Sequence, residues 1–198
     1  NDDVSITANF VENYDYKAPS HYWKNEMNPF IDLYGIVSQF GLSGPTYGGF
    51  DTGTVYADFN ADGFLDIQLQ LNNGPQGSFV ENFLLINNGN GGYNLDNTLI
   101  TNPDFQTYQA RKSIVGDFND DGRPDVVRPA GGHDWVRKSN ILLSQSNGHY
   151  TFMEIENSPV SQFHTVSSGD IDNDGDLDLF FGATIHDGFA INDGNGMF

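Results

Sequence analysis

An acidic ten-residue segment occurs three times in this 198-residue chain, and it constrains the fold more than any other feature. The copies occupy residues 57–66, 116–125 and 169–178 and read ADFNADGFLD, GDFNDDGRPD and GDIDNDGDLD. Their first aspartates are 59 and 53 residues apart. Such a period is typical of solenoids and propellers, in which each repeat forms one small unit of secondary structure. The sequence therefore predicts a series of similar units that pack one against the next.

The residues around each acidic segment predict short β-strands. Residues 67–71 alternate apolar and polar side chains, whereas residues 126–127 and 179–181 are continuously apolar. A further strand closed by an Asn- and Gly-rich turn is predicted within residues 83–93, 141–150 and 189–198. Asn and Gly tolerate a positive φ, so this composition is a strong hairpin signal. Each unit is expected to hold about four antiparallel strands, with the acidic segment between the first two, which makes the fold class all-β.

The acidic segments also have the spacing of a cation-binding loop. Oxygen ligands at positions one, three and five, followed by Gly at position six, allow a short loop to wrap around a hard cation, and position seven then offers its carbonyl. The side-chain candidates are Asp58, Asn60, Asp62 and Asp66; Asp117, Asn119, Asp121 and Asp125; and Asp170, Asp172, Asp174 and Asp178. The carbonyl candidates are Phe64, Arg123 and Asp176.

The closing carboxylate distinguishes these loops from an EF-hand. An EF-hand carries a Glu at position twelve, where this chain has Leu69, Arg128 and Phe181. All three copies carry Asp at position nine instead. A helix–loop–helix hand is thereby excluded, and the last ligand is expected at the start of a strand.

Ca²⁺ is the predicted ion at three sites. Mg²⁺ prefers octahedral geometry with several retained waters, and softer metals prefer His or Cys, which the loops lack. The alternative is a set of acidic turns that cap their own backbone and bind nothing. Three copies with the same ligand spacing, and without a Lys in any of them, favour the metal.

The charge balance excludes several classes of function. Asp and Glu total 27 against 8 Lys and Arg, for a formal net charge of −19. Nucleic acid and anionic membrane surfaces both need clustered basic residues, so we expect neither as a partner, and we expect no membrane insertion. The chain has no Cys, no Gly-x-Ser-x-Gly elbow and no His-Glu-x-x-His motif, and we expect no enzymatic activity.

These residues resemble the FG-GAP/VCBS repeat family, the calcium-loop blades of integrin-type β-propellers. The resemblance rests on the three acidic segments, on Phe50 and Phe163 before them, and on the Asn/Gly turns at residues 88–93 and 192–198. It implies propeller-type blades of four antiparallel strands at about residues 50–104, 105–160 and 161–198. It also implies calcium between strands one and two of each blade, and a role in adhesion, recognition or assembly outside the cell or on a cell or virion surface.

The number of units departs from the full form of that family, which commonly closes with seven blades. Residues 1–49 contain no acidic loop but hold strand-like stretches at residues 4–10 and 30–37. They are expected to form either a divergent N-terminal blade or an arm used in assembly.

A second candidate site lies in the link between strands two and three of the second unit. Residues 128–138 hold Trp135, His133 and Arg137, together with Arg128 and Lys138. An exposed Trp suits stacking on a sugar, and Arg suits a carboxylate. We therefore expect an extracellular calcium-binding module that recognises a glycan or a protein surface. The alternative is a structural subunit of a surface filament, fibre or virion that binds copies of itself.

Overall fold

The described part of the chain is all-β, as predicted. In this computed structural model it comprises residues 38–41, 53–71, 79–103, 107–108, 110, 112–131, 138–156, 158, 163–183 and 186–198. Its strands are Val55–Ala57 (β1), Asp66–Leu71 (β2), Phe79–Asn87 (β3), Tyr93–Leu95 (β4), Thr107–Tyr108 (β5), Ile114–Gly116 (β6), Asp125–Arg128 (β7), Asn140–Ser144 (β8), Tyr150–Glu154 (β9), Phe163–Gly169 (β10), Asp178–Ala183 (β11) and Gly188–Ala190 (β12).

The strands form three antiparallel sheets in which neighbours in sequence are neighbours in space. Sheet 1 has the order β1-β2-β3-β4, sheet 2 the order β6-β7-β8-β9 and sheet 3 the order β10-β11-β12. The short β5 pairs with the beginning of β3 and so belongs with sheet 1. In every sheet the acidic segment connects the first strand to the second. The predicted four-strand unit is thus present in sheets 1 and 2, and sheet 3 has three strands among the described residues.

Side chains of the second strand alternate between the two faces of each sheet. In sheet 2, Val126 belongs to the core shared with sheet 1, whereas Val127 belongs to the core shared with sheet 3. In sheet 3, Leu179 and Phe181 face sheet 2. Since a strand directs successive side chains to opposite faces, the same position faces the same way in each unit. The described residues therefore form a stack of sheets, and their closure into a propeller stays a prediction.

The two ends of this stack differ in how they are covered. On the outer face of sheet 1, Ile67, Leu69 and Leu71 are fully buried, and Phe40 packs against their cluster. Residues 38–41 are the part of the predicted N-terminal blade or arm that lies within the described residues. On the outer face of sheet 3, by contrast, Phe189 is 61% exposed.

The edge of sheet 2 is extended by a segment that leaves sheet 1. Ile100 forms a parallel bridge with Tyr150 of β9, and the Thr101 N–H donates to the Tyr150 carbonyl at 2.8 Å. The Asn102 side chain continues this contact through two hydrogen bonds to the backbone of Phe152, 2.9 and 2.8 Å long. A covered edge has fewer unpaired backbone groups, so these bonds fasten sheet 1 to sheet 2.

Candidate metal centres

The three acidic loops occupy the same place in three hairpins. The strand pairs that flank them close on Ala57 opposite Asp66, Gly116 opposite Asp125, and Gly169 opposite Asp178. The aspartate of position nine is therefore the first residue of the second strand in every unit, as predicted. Because the register is identical, equivalent side chains of the three loops start from equivalent backbone positions.

Two residues of each loop have left-handed backbone conformations. Position six is Gly63, Gly122 or Gly175, with φ of 88°, 79° and 104°. Position four is Ala61, Asp120 or Asn173, with φ of 60°, 54° and 65°. Glycine adopts this conformation freely, which explains position six. The left-handed residue at position four was not predicted, because side chains there vary and only Asn and Asp favour that region.

The carboxylates of positions one and five hold the loop backbone. In the first loop, Asp58 accepts hydrogen bonds from the N–H groups of Asp62 and Gly63 at 3.0 and 2.8 Å. The same pair of bonds measures 3.1 and 2.8 Å in the second loop, and 3.1 and 3.2 Å in the third. Position five accepts from the N–H of position seven at 2.9, 3.0 and 3.0 Å. The loops thus share one hydrogen-bond pattern as well as one sequence pattern.

The aspartate of position nine is fully buried in all three loops. One of its oxygens accepts from the N–H of position two at 2.8 Å in each loop. The other accepts from an N–H at the end of the third strand, that of Asn87 or Ser144, or two residues beyond it, that of Asn192, at 2.8, 2.7 and 2.8 Å. This carboxylate therefore ties the loop to the sheet, a structural role that its spacing in the sequence did not reveal.

Burial makes two of these carboxylates costly to ionise. Loss of hydration raises the pKa of Asp66 to about 7 and that of Asp125 to about 6, although hydrogen bonds from backbone N–H groups oppose the rise. The negative charges of Asp62 and Asp58 add to the effect on the pKa of Asp66. A cation held by the same loop would act in the opposite direction and favour the ionised form.

The third loop gathers three carboxylates at an exposed position. Oxygens of Asp170, Asp172 and Asp174 lie within 4.8 Å of one another. The pKa of Asp172 is raised, first by partial loss of hydration and then by the charges of Asp174 and Asp178. The predicted ligands at positions one, three and five of this loop are therefore brought together, while the buried Asp178 lies outside this group.

The second and third loops lie close enough to influence each other. Partial loss of hydration is the largest cause of the raised pKa of Asp176, followed by the charge of Asp174 and then by that of Asp120 in the second loop. The acidic loops thus concentrate negative charge along one edge of the stack.

The chemistry of the donor set fits Ca²⁺. Each loop offers oxygen atoms at positions one, three, five and nine, together with the carbonyl of position seven, and no nitrogen or sulfur ligand. Ca²⁺ takes six to eight oxygens, and bidentate carboxylates or water complete a set of this size. In the first two loops the amide of position three donates to the carboxylate of position five, at 2.8 and 3.5 Å. The carbonyl oxygen of each amide accepts the N–H of position five, at 3.1 and 3.3 Å, and keeps a second lone pair for an ion.

The second candidate site, Trp135 with His133 and Arg137, lies outside the described residues. Arg128, which begins the same link, is fully buried and so belongs to the core rather than to a binding surface. Its guanidinium lies 4.8 Å from the ring centre of Phe152 and donates to the Asn82 side-chain oxygen at 2.5 Å. Position twelve faces the preceding sheet, which explains this burial.

No model of a known protein family matches the sequence, and no curated protein matches it. In the described residues, no helix has both the length and the apolar character needed to cross a membrane.

Proposed function

We propose that this protein is a calcium-binding module with three metal loops, one in each sheet. The observation that carries the proposal is the threefold recurrence of the same loop, with equal register, equal left-handed positions and equal hydrogen bonds. In the third loop, three exposed carboxylates also lie within 4.8 Å of one another and repel each other. Ca²⁺ offsets this repulsion and, at extracellular levels near millimolar, occupies even weak loops.

We further propose that the module works outside the cell in adhesion or recognition and has no enzymatic activity. The support for the location and role is the resemblance to FG-GAP/VCBS blades, and the support against catalysis is the lack of a Gly-x-Ser-x-Gly elbow and of a His-Glu-x-x-His motif. The expected partner is a glycan or a protein surface, bound through the loops between strands, with Trp135 as the first residue to test. Loss of glycan or protein binding in Trp135→Ala, with unchanged calcium binding, is the expected result. Equal binding by this variant would overturn the role of Trp135.

Titration of the metal-free protein with Ca²⁺ tests the metal proposal. We expect a stoichiometry near three by calorimetry and a rise in the thermal midpoint, because a ligand that binds only the native state stabilises it by about 2.7 kcal/mol at a hundredfold excess over Kd. Mg²⁺ at the same concentration is expected to give a smaller rise. No heat and no change in midpoint with Ca²⁺ would exclude the loops as metal sites.

A matched pair of variants separates metal binding from general charge. Asp172→Asn and Glu154→Gln each remove one negative charge from an exposed side chain, but only Asp172 lies in the acidic group of the third loop. We expect Asp172→Asn to weaken one of the three calcium sites and Glu154→Gln to leave all three unchanged. Equal effects would mean that Ca²⁺ responds only to the overall charge.

A structural subunit of a surface assembly is the second candidate function, and one observation favours it. Phe180 and Phe189 pack with their rings tilted and their ring centres 5.2 Å apart on the outer face of sheet 3, and Ile191 beside Ala190 is 43% exposed. Measuring the mass in solution with Ca²⁺ discriminates between the candidates. Oligomers that dissociate in Phe189→Ser support assembly, and a stable monomer at high concentration contradicts it.

A further inference from the structure

The residue at position two of the first and second loops connects three parts of the molecule. Phe59, in the first loop, donates its N–H to Asp66 and buries its ring in the core between sheets 1 and 2. Phe118 does the same in the second loop, donating to Asp125 and packing between sheets 2 and 3. The carbonyl oxygens of both residues accept hydrogen bonds from side chains of the next sheet. These hydrogen bonds link the loops to one another.

The first link is formed by Arg123. Its backbone belongs to the second loop, where its N–H donates to Asp121 at 3.0 Å and its carbonyl is the predicted ligand at position seven. Its guanidinium turns back to the first loop and donates to the Phe59 carbonyl at 3.0 Å. The Tyr150 hydroxyl donates to the same carbonyl, also at 3.0 Å. One residue therefore contributes to the second loop and holds the first.

The guanidinium is fixed in place by neutral groups of sheet 2. It donates to the Gly148 carbonyl at 2.9 Å and lies 5.0 Å from the ring centre of Tyr150. Tyr150 is fully buried, and its ring meets Phe59 edge to face at 5.5 Å. These contacts hold the Arg123 side chain in one position. A shift of the Arg123 backbone therefore moves the guanidinium and, through it, Phe59.

The second link is formed by Asn192 of sheet 3. Its side-chain amide donates to the Phe118 carbonyl at 2.7 Å and to the Leu177 carbonyl at 3.1 Å. Its own N–H donates to Asp178, the buried carboxylate of the third loop, at 2.8 Å. The second loop is thus joined to the third through one buried amide. In the third loop, position two is Ile171, which is 44% exposed, so the chain of links between loops stops there.

We propose that Arg123 and Asn192 are positioning residues that couple the calcium loops in order, the first loop to the second and the second to the third. This inference rests on the calcium-binding function proposed above. Calcium in one loop fixes the backbone that presents the linking side chain, so the neighbouring loop loses less freedom when it binds its own ion. The result is positive cooperativity between adjacent loops, which is reciprocal by thermodynamic necessity.

The test follows each loop separately in the full chain by NMR. The N–H groups of Gly63, Gly122 and Gly175 donate to the position-one carboxylates, so their signals report calcium binding at the first, second and third loops. In Arg123→Met we expect the midpoint of Gly63 to rise about fivefold or more in calcium concentration, the lower range of measured couplings. The midpoint of Gly175 is expected to rise less than that of Gly63, because the broken link reaches the third loop only through the second.

Two further variants make the pattern specific. Asn192→Ala should raise the midpoint of Gly175 more than that of Gly63, which is the reverse order of Arg123→Met, because the first loop is affected only through the second. Asp121→Asn weakens the second loop while leaving Arg123 in place, and it should also raise the midpoint of Gly63. In the double variant with Arg123→Met, no additional rise is expected, since the link is already broken. If Arg123→Met does not fold, Arg123→Gln replaces it, because glutamine lacks the guanidinium that donates to the Phe59 carbonyl.

The outcomes separate the two proposals. If none of the three glycine signals responds to Ca²⁺, the calcium function itself is wrong. If all three respond and the midpoint of Gly63 is the same in Arg123→Met and Asp121→Asn as in the wild type, calcium binds but the loops are independent. Hydrogen exchange without metal gives a second measurement. The Phe59 amide should exchange faster in Arg123→Met while the Ile171 amide does not change, and equal rates for Phe59 would overturn the link.

Discussion

Sheets 2 and 3 carry the same loop in different surroundings. Sheet 2 is buried on both faces, with Val126 and Leu142 packed toward sheet 1 and Val127 and Ile141 toward sheet 3. Sheet 3 buries only the face that meets sheet 2, while Phe189 stays exposed on the other. Even so, the loops of both sheets have the same register and the same hydrogen bonds from positions five, six and seven. Loop geometry is therefore a local property, whereas burial depends on the neighbouring sheets.

The largest difference between the two sheets is expected in their apolar side chains. Leu142→Ala leaves a cavity in the core between sheets 1 and 2 and should lower the free energy of unfolding by about 2–5 kcal/mol. Phe189→Ala removes a ring that is mostly in water and should change it by less than about 0.5 kcal/mol. Urea denaturation of both variants measures the difference. A large loss in Phe189→Ala would mean that the outer face of sheet 3 is covered in solution.

The next largest effect distinguishes buried from exposed carboxylates. Asp125→Ala removes the acceptor of two buried N–H groups, those of Phe118 and Ser144, and should cost about 2 kcal/mol or more without calcium. Asp174→Ala relieves repulsion in an exposed acidic group but removes the acceptor of the Asp176 N–H, so stability without calcium should change by less than about 1 kcal/mol. Thermal unfolding in a chelator compares them. Equal destabilisation would contradict the structural role assigned to position nine.

The smallest effect concerns two glycines that have open space around them. A methyl group added to Gly122 or to Gly169 would meet no atom within 4 Å, but only Gly122 has a positive φ, of 79°. Gly122→Ala should therefore cost about 1 kcal/mol in backbone strain, while Gly169→Ala should be neutral. Chemical denaturation resolves the pair, and a neutral Gly122→Ala would show that the loop relaxes to another conformation.

The sequence predicted the features that depend on local spacing. Strands around each loop, Asp at the start of the second strand and Gly at the turn follow from residues close together in the chain, and all are present. Features that depend on which sheet is the neighbour were not predicted. The spacing assigns Arg123 only a backbone carbonyl at position seven and Arg128 only a place in the link between strands two and three, yet both side chains contact sheet 1. The sequence pattern around Arg123 and Arg128 is that of any loop or strand. Their hydrogen-bond partners lie in a neighbouring sheet, so these contacts depend on how the sheets stack.

The number of residues between Gly122 and Asp125, which is two, sets the register of the strand that follows. This number determines that Asp125 meets Gly116, and thereby that Val126 faces sheet 1 and Val127 faces sheet 3. One residue inserted there would exchange the two faces of β7, sending Arg128 into the apolar core between sheets 2 and 3. The residues at these two positions differ between the loops, being Phe-Leu in the first, Arg-Pro in the second and Asp-Leu in the third, but their number is the same in all three.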